Sequence, residues 1–232
     1  MARIAAVLTI IIAAPIALAT PVRATDLVCD STADYYLGRE DYADAIAAHR
    51  RVLAANPGDA LAHYHLGFAY GMTGNRRAEL SEYRKAAALG LRQWDFELNF
   101  GRAELESGDS AAASRAFQQA ITLAPRRPEG YYNLGLADES RGMLQQALEA
   151  MTASLALDPN QPDARNMLGV IYAEQGDYAR AREVWTRLIR TLPEYAQARE
   201  NLAVLERMAS PPKAPAGHDR LQFRTAMAGD VR

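Results

Sequence analysis

Apolar and small residues repeat along this chain with a period of 34 residues. When the 34-residue units are aligned, one column holds a large apolar residue. The next column holds glycine in four successive units: Gly67, Gly101, Gly135 and Gly169. A second glycine follows seven residues later in each of these units. A glycine inside an amphipathic block costs helix stability, so its recurrence indicates a place where two helices approach closely.

The second half of each unit follows the same period. A small residue occupies one column, a bulky residue follows four positions later, and proline closes the unit at Pro57, Pro125, Pro159 and Pro193. Glycine ends a first helix by accepting the left-handed conformation, and proline ends a second one. Asp109 and Asp177 follow the turn glycines and are expected to cap the second helices. Each unit is therefore predicted to form a helix-turn-helix.

The second unit departs from this pattern at two positions. Glu79 occupies the column of small residues, and Leu91 replaces the closing proline. Because burial of an unpaired carboxylate is costly, we expect this helix to be rotated, with Glu79 in solvent and Ala78 facing inward.

The pattern resembles the tetratricopeptide repeat, a 34-residue helix-turn-helix unit, over roughly residues 26–208. The resemblance implies an all-α fold, a right-handed α-solenoid of about five repeats. The expected repeats lie at about 26–59, 60–93, 94–127, 128–161 and 162–195. A final helix at 196–208 has a polar outer side and is expected to cap the stack.

Both ends of the chain differ from the repeats. Residues 1–24 combine Arg3, an apolar stretch and small residues before Ala24, which predicts a cleaved export signal and a periplasmic or secreted protein. An uncleaved anchor is the alternative, and it would be the chain's only link to a membrane. Residues 209–232 are rich in proline and are expected to be a disordered tail, in which Leu221 and Phe223 form an alternative docking segment for the protein's own groove.

Composition excludes several classes of function. Acidic residues outnumber basic ones by 28 to 26, which gives no electrostatic case for binding nucleic acid. Cys29 is the only cysteine, so no internal disulfide forms, and Val28 and Asp26 disfavour a lipid anchor on it.

Candidate chemistry is equally sparse. No histidine has another histidine or a cysteine four residues away, and His63 and His65 diverge on a helix. We therefore predict no metal site, no cofactor and no enzymatic activity.

The resemblance instead implies a concave groove lined by the first helices, which binds a protein or peptide. Carried over by register, the groove residues are Tyr64, Phe68, Leu98, Asn99, Arg102, Tyr132, Asn133, Leu136, Glu139, Asn166 and Val170. The groove lacks the two lysines with which chaperone-binding relatives hold a terminal carboxylate. First helices are the more acidic ones, which favours an apolar or basic partner segment.

The predicted function is thus an exported, non-enzymatic scaffold for protein–protein interaction. One alternative is an assembly factor for an envelope machine for pili, secretion, cytochrome maturation or polysaccharide. A regulatory or carbohydrate-synthesis accessory subunit is another, and direct catalysis is the least favoured.

Overall fold

The computed structural model describes residues 29–209, and the predicted export signal and tail docking segment lie outside these residues. Within this range the chain forms helices and turns, without strands. The helices are α1 Ser31–Gly38, α2 Tyr42–Ala55, α3 Ala60–Met72, α4 Arg76–Ala88, α5 Trp94–Glu106, α6 Ser110–Leu123, α7 Pro128–Ser140, α8 Leu144–Leu157, α9 Pro162–Glu174, α10 Tyr178–Thr191 and α11 Ala196–Ala209. None of them is long and apolar enough to cross a membrane.

Consecutive helices pack against one another along the whole described chain. Five pairs, each a first and a second helix, are followed by the single helix α11. First helices also contact one another: α1 meets α3, α5 meets α7, and α9 meets both α7 and α11. The prediction of an all-α solenoid is confirmed. Its first helices form one continuous layer, and this layer carries the predicted groove residues.

In the second to fifth pairs, glycine on the first helix makes room for a bulky side chain of the second helix. A Cβ atom added at Gly67 would lie 2.6 Å from the ring of Tyr83, and one at Gly169 would lie 2.4 Å from Trp185. The same contact joins Gly101 to Phe117 at 2.5 Å and Gly135 to Met151 at 2.8 Å. Close approach of the two helices, expected from the repeat, is therefore confirmed.

Turns and caps also follow the sequence pattern. Gly74, Gly108, Gly142 and Gly176 all have positive φ, as the end of a first helix requires. Glu40 takes that place in the first pair with a φ of 62°. Asp109 and Asp177 accept hydrogen bonds from the amides of Ala112 and Arg180, so both cap their helices as predicted.

The expectation for Glu79 is wrong. Its side chain is buried, with 7% exposed, whereas Ala78 is only half-buried. Two features make the burial possible. Arg76 Nη1 donates to Glu79 Oε2 at 2.9 Å, and Gly71 leaves a space that its Cβ would fill, 2.5 Å from Glu79 Oε1. A paired carboxylate is much less costly to bury than an isolated one.

Candidate functional site

The predicted groove residues all lie on first helices, which the fold brings into one layer. Eight of them are buried: Tyr64, Phe68, Leu98, Asn99, Tyr132, Asn133, Leu136 and Val170. Arg102, Glu139 and Asn166 are partly exposed. Polar chemistry that a partner can reach therefore comes from these three side chains and their neighbours, and the apolar members form the packed layer beneath them.

The three asparagines are engaged within the protein. Asn99 Nδ2 donates to the hydroxyl of Tyr64 at 3.0 Å, which joins α5 to α3. Asn133 Nδ2 donates to the Glu129 carbonyl at 2.8 Å, within its own helix. Asn166 Oδ1 accepts from Asn201 Nδ2 at 3.1 Å and so binds the last helix, α11. The amides of Asn99 and Asn166 therefore join helices, whereas that of Asn133 bonds within α7.

A cavity of about 280 Å³ opens between α3, α4 and α5. Three predicted groove residues, Phe68, Asn99 and Arg102, line it. Phe68, Met72 and Ala103 contribute apolar wall. Met72 is 41% exposed, so the cavity has an apolar rim that is open to solvent.

Charge at the cavity is balanced. Arg76 binds two carboxylates, Glu79 at 2.9 Å and Glu106 at 3.1 Å. Arg102 Nε is buried and has no hydrogen-bond partner among the described residues. Burial lowers the pKa of Arg102, yet a guanidinium keeps its proton in proteins. The cavity is therefore lined by a cationic guanidinium beside apolar surface.

Two carboxyl groups face each other between α7 and α9. Glu139 and Glu174 are hydrogen-bonded, which requires one of them to hold a proton. Burial, and then the neighbouring Glu139, raise the pKa of Glu174 to about 8. Burial also raises the pKa of Glu139. A cation placed between these groups would replace the shared proton.

Two other acidic residues of the first helices are paired with arginine. Glu104 is buried and accepts two hydrogen bonds from the Arg84 guanidinium, at 2.9 and 2.8 Å. Asp138 is buried and accepts from Ser114 and Arg141. The charges of Glu104 and Asp138 are therefore neutralised within the protein, whereas Glu139 and Glu174 form no ion pair with a cationic side chain among the described residues.

A separate cluster was missed by the sequence analysis. Cys29, Asp34, His49 and His65 bring their ligand-type atoms within 4.8 Å of one another. Burial and then Asp34 raise the pKa of the Cys29 thiol, whereas burial and then His65 lower the pKa of His49 to about 4. Their positions show no regular spacing, because the four residues come from three helices and the segment before them.

Comparison with known protein families agrees with this architecture. A profile described as tetratricopeptide repeat matches residues 31–90, and one described as cytochrome c-type biogenesis protein H TPR domain matches residues 90–199. The chain carries tetratricopeptide repeats. Among curated protein sequences, none gives a significant match to it.

Solved structures of other tetratricopeptide repeat proteins are similar. YrrB, described as a TPR protein with an unusual peptide-binding site, is 23% identical with a TM-score of 0.70, over 72% of this chain and 87% of that one. MamA is 25% identical with a TM-score of 0.64, over 71% and 90%. A tetratricopeptide repeat protein from Parabacteroides merdae is 17% identical with a TM-score of 0.67, over 77% and 71%. These likenesses support the fold.

Proposed function

We propose that this tetratricopeptide repeat protein is a non-enzymatic scaffold that binds a peptide segment of a partner protein along its first helices. The observation that carries the proposal is the cavity between α3, α4 and α5, where apolar wall lies beside the Arg102 side chain. A ligand that supplies an acceptor for this guanidinium gains a charge-assisted hydrogen bond. The peptide-binding site of YrrB, a protein of the same fold, supports this assignment.

The groove chemistry suggests the features of the segment. An apolar side chain fits the wall made by Phe68, Met72 and Ala103, and a backbone carbonyl beside it accepts from Arg102. Two repeats further along, a lysine or arginine fits between Glu139 and Glu174, where it replaces the shared proton. The preferred segment is therefore a short one that carries an apolar residue and a basic residue.

Selection from a random peptide library displayed on phage tests this proposal. Library peptides are selected on the purified protein, and the affinity of the enriched peptides is then measured for variants. We expect Arg102→Met and Glu139→Gln each to weaken binding by about tenfold or more, the loss of one charge-assisted hydrogen bond. Affinity should also rise with pH towards pH 8, because a basic residue binds best when both glutamates are ionised.

Matched controls lie on second helices. Arg115→Met on α6 and Glu149→Gln on α8 make the same chemical changes at exposed positions. These variants should bind the selected peptides as the unmodified protein does. Equal loss in the groove and control variants, or no loss in either, would contradict the proposal.

We further propose that the protein acts after export, in the periplasm or outside the cell. The support is the sequence of residues 1–24, with its basic start and apolar stretch. Mass determination of the mature N-terminus, combined with fractionation of the native host, tests this. A chain that retains residues 1–24 and stays with the cytoplasm would contradict it.

A second candidate function is an accessory role in assembling an envelope complex. The match of residues 90–199 to the cytochrome c-type biogenesis profile favours it, because that range includes Arg102, Glu139 and Glu174. Deletion of the gene should then lower the content of haem-bearing c-type cytochromes. Normal cytochrome content in the deletion strain would exclude this version of the role.

A further inference from the structure

Four side chains with metal-binding atoms meet at the N-terminal end of the solenoid. Cys29 precedes α1, Asp34 lies on α1, His49 on α2 and His65 on α3. Cys29 Sγ lies 3.5 Å from His65 Nδ1, 3.6 Å from His49 Nδ1 and 3.5 Å from Asp34 Oδ1. The carboxylate oxygen also lies 2.8 Å from His65 Nδ1. The cluster is thus a compact set of one sulfur, two nitrogen donors and one oxygen.

One member of the cluster is buried without satisfying its hydrogen-bonding capacity. His49 is 0% exposed, and its Nε2 atom has no hydrogen-bond partner. That atom lies 3.8 Å from Asp34 Oδ1, which is too long for a hydrogen bond. A buried imidazole that contacts a thiol through Nδ1 and leaves Nε2 without a partner among the described residues is the second, independent feature of a binding site.

The distances fit a tetrahedral ion. Zinc lies about 2.3 Å from sulfur and about 2.0 Å from nitrogen or oxygen, so ligand atoms at tetrahedral angles are about 3.3–3.6 Å apart. The three contacts of Cys29 Sγ fall in this range, and the Asp34–His65 contact needs only a small separation. A thiolate with two imidazoles and a carboxylate is a donor set that suits zinc.

We propose that Cys29, Asp34, His49 and His65 bind one Zn²⁺ ion per chain. Four protein ligands close the coordination sphere, which makes the site structural rather than catalytic. Its ligands join the segment before α1 to the first three helices. α1 has only eight residues and buries only Ala33 and Leu37, so the ion would fasten the end of the stack that lacks a preceding repeat.

His63 provides a matched control for the ligands. It lies on α3 with His65, but its Nδ1 lies 2.6 Å from Glu82 Oε2 and its Nε2 lies 3.1 Å from the Pro57 carbonyl. Both ring nitrogens are therefore engaged away from the cluster. A His63→Asn variant removes an imidazole of similar burial without removing a proposed ligand.

The test is metal binding by the full-length mature chain, kept reduced. Equilibrium dialysis against Zn²⁺ should give one bound ion per chain, with affinity reduced by at least about 100-fold in Cys29→Ser and His65→Asn and unchanged in His63→Asn. Co²⁺ should give the intense visible bands of a tetrahedral site and a sulfur-to-metal charge-transfer band. The sulfur-to-metal charge-transfer band should be absent in Cys29→Ser.

Thermal unfolding gives a second measurement for variants that fold poorly. Removal of zinc by EDTA should lower the Tm of the unmodified protein and of His63→Asn, because an ion bound only by the folded state stabilises it. The Tm of Cys29→Ser should not respond to EDTA. Less than one zinc ion bound per chain, or zinc bound equally tightly by Cys29→Ser, would overturn the proposal.

Discussion

At the scale of single residues, four of the five helix pairs depend on one glycine lying beneath one large side chain. The large residue differs between pairs, from Tyr83 to Phe117, Met151 and Trp185, while the glycine stays the same. Trp185 shows how specific the contact is, because it is fully buried and its Nε1 donates to the Asn166 carbonyl at 3.2 Å. The missing side chain at Gly169 therefore fixes the position of both the indole ring and the helix beneath it.

Gly169→Ala is expected to lower the free energy of unfolding by about 1–3 kcal/mol. The added Cβ would lie 2.4 Å from Trp185 Nε1, and the cost of overpacking exceeds the gain in helix propensity of about 1 kcal/mol. Denaturant unfolding followed by circular dichroism measures the change.

Gly38→Ala is the control for this substitution. Gly38 is exposed at the end of α1, and an added Cβ there meets no atom within 4 Å. Its stability should be unchanged or slightly higher. Equal destabilisation by both substitutions would show that the effect does not come from close helix packing.

Glu79 illustrates which details the repeat pattern did not predict. The other units hold alanine at the position of Glu79. That pattern predicts a small buried residue, and therefore a glutamate side chain in solvent. The relevant signal was Gly71, because the equivalent positions 105 and 139 hold leucine and glutamate. Glycine at that one position leaves the space in which the Glu79 carboxylate lies. Gly71 and Glu79 together predict a buried carboxylate, whereas neither residue alone does.

At the scale of helices, polar contacts join successive repeats and restrict what the groove can offer. Arg84 of α4 holds the buried Glu104 of α5, and Asn201 of α11 holds Asn166 of α9. Glu139 and Glu174 are different, because the pair between α7 and α9 brings together two carboxyl groups, one of which holds a proton at neutral pH. Loss of that proton would place two like charges side by side, so the pair has a measurable pH dependence.

Stability should fall as pH rises from about pH 7 to pH 9. The folded protein raises the pKa of Glu174 from 4.5 to about 8, so folding favours the protonated carboxyl. The stability that protonated Glu174 contributes is present in full below pH 4.5, its pKa in the unfolded chain. It is lost as pH rises through about 8, its pKa in the folded protein. Thermal unfolding over this pH range measures the loss.

Glu174→Gln should reduce this dependence on pH. The amide cannot ionise, so the Tm of the variant at pH 9 is expected to be about 2–6 °C above that of the unmodified protein, after allowance for solvent screening. Glu183→Gln, at an exposed position on α10, is the control and should leave the profile unchanged. A Tm that does not fall with pH would contradict the shared proton.

At the scale of the whole molecule, the fold was predictable because each repeat contacts mainly its neighbours in sequence. A 34-residue period therefore specifies the solenoid almost directly. Which groove residues a partner can reach was not predictable, since exposure depends on how tightly successive first helices stack. Tyr64 and Leu136 are in the predicted layer, yet they are 0% and 2% exposed. They remain predicted binding residues that no observation tests.

The cluster at the N-terminal end lay beyond sequence reasoning for a related reason. Cys29, His49 and His65 are separated by 20 and 16 residues, and no short motif has that spacing. They meet because α1, α2 and α3 pack together, and the identity of each residue departs from what the repeat requires. Departures from a repeat are thus where specific chemistry in a solenoid should be sought.

Partner capture in the native host tests the central claim, that the first-helix surface is where this protein binds. A photo-crosslinking amino acid is placed at Met72, on the rim of the cavity, and separately at Leu123 on α6, which is similarly exposed at 45%. We expect one protein to be captured repeatedly from Met72 and not from Leu123, and we expect Arg102→Met to abolish its capture. Equal capture from both positions, or capture that survives Arg102→Met, would show that the partner binds elsewhere.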